Sequence, residues 1–138
     1  MFNYSRKVYY YETDTMSVVH HSNFVRWIEE ARTDYFDSLG FSYAKTESLG
    51  VMSPVTGMQL NFKSFARFGD TFTVRLKLVK YTGVRFVVDF SIINQNDTAL
   101  MDGQSMHAFV GKDYRPVSVS KALPELHEIL KRHMEGKK

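Results

Sequence analysis

The sequence contains no cysteine among its 138 residues. This absence excludes disulfide bonds, cysteine-ligated zinc, iron–sulfur clusters and a thiol nucleophile. Only three prolines are present, at Pro54, Pro116 and Pro124, and no Gly- or Ser-rich segment accompanies them. Because nothing in the chain is typical of a linker or an internal repeat, we predict a single domain over residues 1–138.

Long apolar runs and an excess of one charge are also missing. No segment approaches the roughly 18 consecutive apolar residues of a membrane-spanning helix. The opening stretch, MFNYSRKVYYYETD, lacks the basic and apolar regions of a signal peptide. Eighteen Lys and Arg against fifteen Asp and Glu give a net charge of +3, which does not predict nucleic-acid binding. We expect a cytoplasmic protein with no membrane span and no nucleic-acid partner.

Aromatic residues, in contrast, are abundant. They form 14% of the chain, with 11 Phe and 8 Tyr, and such residues favour strands, cores and interfaces. The hydrophobic fraction of 43% is ordinary for a globular protein. A chain of this length buries about 68% of its unfolded surface on folding. A self-sufficient hydrophobic core is therefore expected.

Hydrophobic periodicity predicts one long helix over residues 23–39. Ser22 or Asn23 is the expected N-cap, and Gly40 is the expected stop signal. Five apolar residues recur three or four positions apart and share one helical face: Phe24, Ile28, Ala31, Tyr35 and Leu39.

Alternating or β-branched and aromatic stretches predict five strands, at residues 7–11, 58–62, 72–78, 86–92 and about 98–111. A short helix is expected after Pro124, with residues 131–138 as its fraying end. The order is one strand, the long helix, and then four strands joined by hairpin-length connections. This order predicts an α+β fold in which an antiparallel sheet carries the helix on one face.

The segment between the first strand and the long helix carries the chemistry. Asp14 lies in a predicted turn, and His20 and His21 directly precede the helix cap. The first amides of a helix have no internal partner and carry the positive end of its dipole. A carboxylate facing them serves as nucleophile or general base while the amides polarise a carbonyl, which suits acyl transfer without a metal. The alternative is structural: Asp14 only caps a turn, and the histidines are surface residues.

Residues 10–32, YYETDTMSVVHHSNFVRWIEEAR, resemble the signature of the 4-hydroxybenzoyl-CoA thioesterase family, particularly its Tol-Pal-associated acyl-CoA thioesterase branch. The resemblance implies a hotdog fold, with a five-stranded antiparallel sheet wrapped around one long helix and a short C-terminal helix. It also implies hydrolysis of an acyl-CoA thioester by a homodimer or homotetramer, with no cofactor because coenzyme A belongs to the substrate. Ten residues fall in register with the signature: Tyr10, Thr13, Asp14, Val18, Val19, His21, Phe24, Glu29, Ala31 and Arg32.

Carried over to this sequence, the resemblance makes Asp14 the catalytic carboxylate, as nucleophile or as general base. The amide near His21 takes the carbonyl-polarising position, and the side chains of Tyr10 and His21 orient water or substrate. Where the family often has glycine after the aspartate, this chain has Met16 and Ser17. We expect Met16 to narrow the acyl pocket.

Three basic residues are candidates for the phosphates of coenzyme A, because they lie at or near strand ends: Lys63, Arg67 and Arg85. Two other functions remain open at this stage. One is a thioesterase acting on an acyl carrier protein, and the other is a non-catalytic acyl-CoA-binding hotdog protein. Neither the acyl group nor the choice between dimer and tetramer follows from the sequence.

Overall fold

The computed structural model describes residues 1–135, which form one five-stranded sheet and four helices. The strands are β1 (Phe2–Lys7), β2 (Val55–Phe62), β3 (Thr71–Tyr81), β4 (Arg85–Ile93) and β5 (Ala99–Ala108). The helices are α1 (Ser22–Ser38), α2 (Tyr43–Ser48), α3 (Val119–Ala122) and α4 (Pro124–Glu135). Residues 131–135 of the expected fraying end are helical, whereas 136–138 lie outside the described residues.

The sheet is antiparallel throughout, with the strand order β1-β3-β4-β5-β2. Its inner face follows the alternation of the sequence, because every second residue of β3 and β4 is buried. The buried residues of these two central strands are Phe72, Val74, Leu76, Leu78, Phe86, Val88, Phe90 and Ile92.

Helix α1 lies on this inner face and supplies the other half of the core. Its 17 residues span about 25 Å. Trp27 is fully buried and stacks on Phe72 of β3, with 3.8 Å between ring centroids. Ile28 and Ala31 are equally buried, and Gly40 follows the helix with a φ of +80°. The prediction of one long helix against a five-stranded antiparallel sheet is confirmed.

Two local predictions were wrong, and one short helix was missed. The first strand is β1, not residues 7–11. Every second residue of β1 faces inward, and one of these is the charged Arg6, which pairs with Glu12 and Glu30. Tyr10–Glu12 form a 3-10 turn instead. Helix α1 starts at Ser22 after His21, one residue earlier than predicted. Helix α2 was not predicted, although its N-cap Ser42 accepts a hydrogen bond from the Lys45 amide.

Strand β2 forms one edge of the sheet and pairs only with β5. Gly103 of β5 makes this pairing possible, because a Cβ there would lie 2.2 Å from the carbonyl oxygen of Gln59. The outer side of β2 has no neighbouring strand among the described residues.

Candidate active site

Asp14 occupies a tight turn that leads from the Tyr10–Glu12 segment towards helix α1. Its Oδ1 accepts hydrogen bonds from the amides of Met16 (2.8 Å) and Val18 (3.4 Å). The Asp14 amide donates to the Val18 carbonyl at 2.9 Å, which closes the turn. Ser17 at its tip has a φ of +62°, in the left-handed region. The second carboxylate oxygen, Oδ2, has no hydrogen-bond partner within residues 1–135, so it is available to a ligand.

The start of helix α1 faces the same space. The Ser22 amide donates to Nδ1 of His20, and the amides of Asn23 and Phe24 donate to the carbonyls of His20 and His21. The His21 amide, however, donates to no residue of the described chain. An unpaired amide at the positive end of a helix is suited to hold a carbonyl oxygen that gains negative charge.

A cleft of about 390 Å³ joins these groups. Its wall is aromatic: Phe62, at the end of β2, contacts both His21 and Phe24, with ring centroids 6.0 and 5.7 Å apart. The lining residues are Asp14, Val18, Val19, His20, His21, Phe24, Phe62, Lys63, Ser64 and Phe65. The cleft therefore combines a free carboxylate oxygen, a free amide and an apolar wall.

Tyr10 and Met16 do not line this cleft within one chain. Both side chains are exposed, and the Tyr10 ring packs edge-on against Phe68 with 5.4 Å between centroids. The structure thus brings together Asp14 and His21 from the predicted catalytic set and leaves Tyr10 on the adjacent surface.

Of the three residues predicted to contact phosphate, two lie near the cleft and one does not. Lys63 lines the cleft and lies 3.7 Å from Asp102 Oδ2, with both side chains half exposed. Arg67 is close to the Asp14 turn, because its backbone forms an antiparallel bridge with Val18. Arg85 begins β4 opposite Ala108, at the end of the sheet far from the cleft.

A charged network behind the cleft was missed by the sequence analysis. Glu12 is buried and accepts hydrogen bonds from Arg6, from Trp27 Nε1 and from the Tyr9 amide. Its own carbonyl accepts from the His20 amide and from Asn23 Nδ2. Glu12 therefore ties β1, the Asp14 segment and the beginning of α1 together.

Burial acts to raise the pKa of the Glu12 carboxyl. The hydrogen bonds from Arg6, Trp27 and the Tyr9 amide lower this pKa by more than burial raises it. The resulting pKa lies below its ordinary value, so Glu12 is an anion at neutral pH. Its Arg6 partner is also shared with Glu30, 2.9 Å away. The sequence signal for this network is Arg6, which shares the inward face of β1 with Phe2 and Tyr4.

Within residues 1–135 no group of three or more His, Asp and Glu side chains is placed to hold a metal ion. Of the helices that the structure describes, none has the length and apolar character needed to cross a membrane.

Comparison with known proteins gives concordant matches. A family model described as the Thioesterase-like superfamily matches residues 8–130. YneP of Bacillus subtilis, provisionally named an acyl-CoA thioesterase, is 34% identical over 122 residues, or 88% of each chain. The acyl-CoA thioester hydrolase YbgC of Escherichia coli is 27% identical over 104 residues, covering 75% of this chain and 78% of its own. The structure of a DHNA-CoA thioesterase from Staphylococcus aureus has a TM-score of 0.90 and 31% identity, covering 95% of this chain and 89% of its own.

Proposed function

The chain belongs to the Thioesterase-like superfamily, and we propose that it hydrolyses an acyl-CoA thioester to a carboxylic acid and free coenzyme A. The hotdog fold is confirmed by the structural match, and the expected class of thioester hydrolase is confirmed at the level of the family. The observation that carries the proposal is the cleft in which Asp14 and the unpaired His21 amide meet.

The proposed reaction begins when the thioester carbonyl oxygen accepts a hydrogen bond from the His21 amide. Two amides fix Oδ1 of Asp14, which leaves Oδ2 directed to substrate or water. As a nucleophile, Oδ2 attacks the carbonyl carbon, the thiolate of coenzyme A leaves, and water hydrolyses the resulting anhydride. As a general base, Oδ2 takes a proton from the water that attacks the carbonyl directly. Both roles produce the same products, and neither requires a cofactor.

The remaining site residues have proposed roles around this centre. His21 orients water or substrate, as the resemblance to the Tol-Pal-associated branch implies. Tyr10 and Met16 lie outside the cleft of one chain, so their proposed roles, at the substrate and at the acyl pocket, require a second chain. Lys63 and Arg67 bind phosphates of coenzyme A next to the cleft. Because Arg85 lies at the other end of the sheet, its phosphate contact requires a second chain.

We propose a homodimer or homotetramer whose active sites lie at subunit boundaries. Exposed aromatic side chains support it: Phe65 is 70% exposed and Phe68 is 56% exposed, both beside the Asp14 segment. The open edge of β2 supports it as well, since a second β2 could extend the sheet there. The cytoplasmic location stays a prediction.

The decisive experiment is Asp14→Asn, assayed by thiol release from a panel of short, long and aromatic acyl-CoAs. The amide oxygen of asparagine can accept the same bonds from Met16 and Val18, so the fold should be kept. We expect kcat to fall roughly 10²- to 10⁴-fold. Asp34→Asn, on the exposed side of α1, is the matched control and should retain wild-type turnover. Wild-type rates in Asp14→Asn would refute the assignment.

The same assay tests whether the acyl group is carried by coenzyme A or by an acyl carrier protein. A ratio of kcat/KM that favours acyl-CoA over the corresponding acyl carrier protein thioester supports the proposal. The reverse ratio would identify a carrier protein thioesterase, and binding of acyl-CoA without thiol release would identify a non-catalytic binding protein.

A further inference from the structure

A second cavity, of about 330 Å³, lies between α1, α2 and the beginning of β2. The Asp14 cleft lies at the opposite end of β2, so the two cavities are separate within one chain. The polar residues around the second cavity include Glu29, Arg32, Tyr43, Glu47 and Ser53. None of them has a part in the proposed hydrolysis.

Arg32 places a buried positive charge at this cavity, because only 6% of its side chain is exposed. Its Nε donates to the Tyr43 hydroxyl at 2.7 Å, and its Nη1 lies 3.4 Å from His107 Nε2. The nearest carboxylate is Glu29, whose Oε1 is 3.9 Å from Nη2, beyond hydrogen-bond distance, on a side chain that is 64% exposed. Arg32 therefore lacks a hydrogen-bonded counter-ion within the described chain, an arrangement that is costly for a buried cation.

His107, the other neighbour of Arg32, is a neutral group. Its ring is buried, stacks on Phe86 at 4.5 Å and has Ser105 Oγ 2.8 Å from Nε2. Burial and the neighbouring Arg32 lower its pKa to about 4, so the imidazole is neutral at physiological pH. Arg32 is therefore the charged member of the cluster, and its nearest carboxylate is the largely exposed Glu29.

Tyr43 adds a second donor. Its hydroxyl oxygen accepts the bond from Arg32 Nε, which leaves the hydroxyl proton free to donate. Burial raises the pKa of Tyr43 to about 12, so this proton is retained at neutral pH. Arg32 Nη2 and the Tyr43 hydroxyl can therefore both donate to one anion, and a carboxylate with two oxygens matches a paired donor set.

We propose that this cavity binds a small organic carboxylate, held by Arg32 and Tyr43. The carboxylate has two possible sources: a free carboxylate ion, or the far carboxyl end of an acyl group. The second source rests on the proposed function, because antiparallel pairing of two β2 edges would place the Arg32 cavity of one protomer beside the Asp14 cleft of the other.

Direct binding tests the site without assuming any enzymatic activity. The full-length protein is titrated calorimetrically with glutarate, and with glutaramide as the uncharged analogue. Wild type should bind glutarate and not glutaramide, and Arg32→Gln should weaken binding roughly 10- to 100-fold, as expected for a lost charge-assisted hydrogen bond. Tyr43→Phe, which removes only the hydroxyl, should weaken it less. Arg26→Gln, an exposed arginine on the same helix, is the matched control and should bind as wild type does.

Hydrolysis distinguishes the two sources. Glutaryl-CoA and pentanoyl-CoA have acyl chains of five carbons and differ in the terminal carboxylate. A preference for glutaryl-CoA that disappears in Arg32→Gln and is reduced in Tyr43→Phe identifies the acyl group as the ligand, whether or not free glutarate binds. Glutarate binding without this preference identifies a free carboxylate.

The proposal is overturned if wild type shows neither glutarate binding nor an Arg32-dependent preference. Equal effects of Arg26→Gln and Arg32→Gln would overturn it too, because they would indicate general attraction to a basic surface. Tyr43→Phe keeps the test valid if Arg32→Gln fails to fold. Asp14→Asn should lose turnover and still bind glutarate, which distinguishes failure of the proposed hydrolysis from failure of the proposed carboxylate site.

Discussion

Trp27 Nε1 donates a hydrogen bond of 2.8 Å to Glu12 Oε2, and both side chains are buried. The bond connects the central helix to the segment that precedes Asp14, two residues further along the chain. Because Trp27 also stacks on Phe72, the position of the Asp14 turn is fixed relative to the core of the sheet. The position of the Asp14 turn thus depends on a buried carboxylate that does not line the cleft.

Replacing Glu12 by glutamine should be strongly destabilising. The substitution removes the buried carboxylate opposite Arg6, whose side chain is only 13% exposed, and leaves the more exposed Glu30 as the remaining counter-ion. We expect the free energy of unfolding in urea to fall by about 3–5 kcal/mol. Glu30→Gln is the matched control, because Glu30 bonds to the same guanidinium but is 36% exposed. Its loss should be about 1 kcal/mol or less, and equal losses in the two variants would contradict the special position of Glu12.

His107 should make stability depend on pH. In the folded chain its pKa is about 4, against 6.5 when unperturbed. Between these two pH values the unfolded chain binds a proton that the folded chain does not. The contribution of His107 to the free energy of unfolding is therefore complete above pH 6.5. It is lost as the pH falls towards 4, by about 3 kcal/mol in total. Urea unfolding of wild type and His107→Gln from pH 7.5 to 5 should show about 2 kcal/mol of this loss in wild type only, and parallel curves would show that His107 is not the group responsible.

Gly103→Ala should disrupt the pairing of β2 with β5. A methyl group there would lie 2.2 Å from the Gln59 carbonyl oxygen, and backbone cannot move aside as a flexible side chain can. We expect a loss of about 1–3 kcal/mol in thermal unfolding. Gly57→Ala is the control on the same ladder, since its added methyl would meet only the flexible side chain of Met106 at 3.4 Å. A melting temperature near that of wild type in Gly103→Ala would show that β2 can shift to accommodate the methyl group.

Phe65→Ser should weaken self-association if the exposed aromatic surface is an interface. The apolar ring would be covered by a second chain, and its removal costs about 1.5–3 kcal/mol per buried side chain. The dimer dissociation constant should therefore rise roughly tenfold or more, as measured by sedimentation or light scattering. Leu49→Ser, which changes an exposed apolar residue after α2, should leave the constant unchanged. An unaltered constant in Phe65→Ser would place the interface elsewhere.

Local patterns were sufficient for much of the fold and for part of the site. The apolar period of residues 24–35 predicted α1, and alternation predicted β3 and β4, because one face of each element is buried. Asp14 and His21 were found because they flank a helix start. Arg6, Glu12 and Glu30 were not, because their burial depends on contacts between β1, a turn and the middle of α1. Likewise Arg32 and His107 are 75 residues apart, and only the folded sheet brings them together.

The left-handed φ of Ser17 has opposite consequences for the folded and the unfolded chain. Its left-handed φ costs roughly 1–2 kcal/mol in the folded state, a cost that glycine would avoid. Glycine, however, would give the unfolded chain more conformations, at roughly 0.5–1 kcal/mol. The unfolded-state effect offsets only part of the folded-state cost, so glycine at position 17 should raise stability by up to about 1.5 kcal/mol. Compared with glycine, serine restricts the conformations open to the turn, which favours the one in which Oδ1 of Asp14 accepts from the amides of Met16 and Val18.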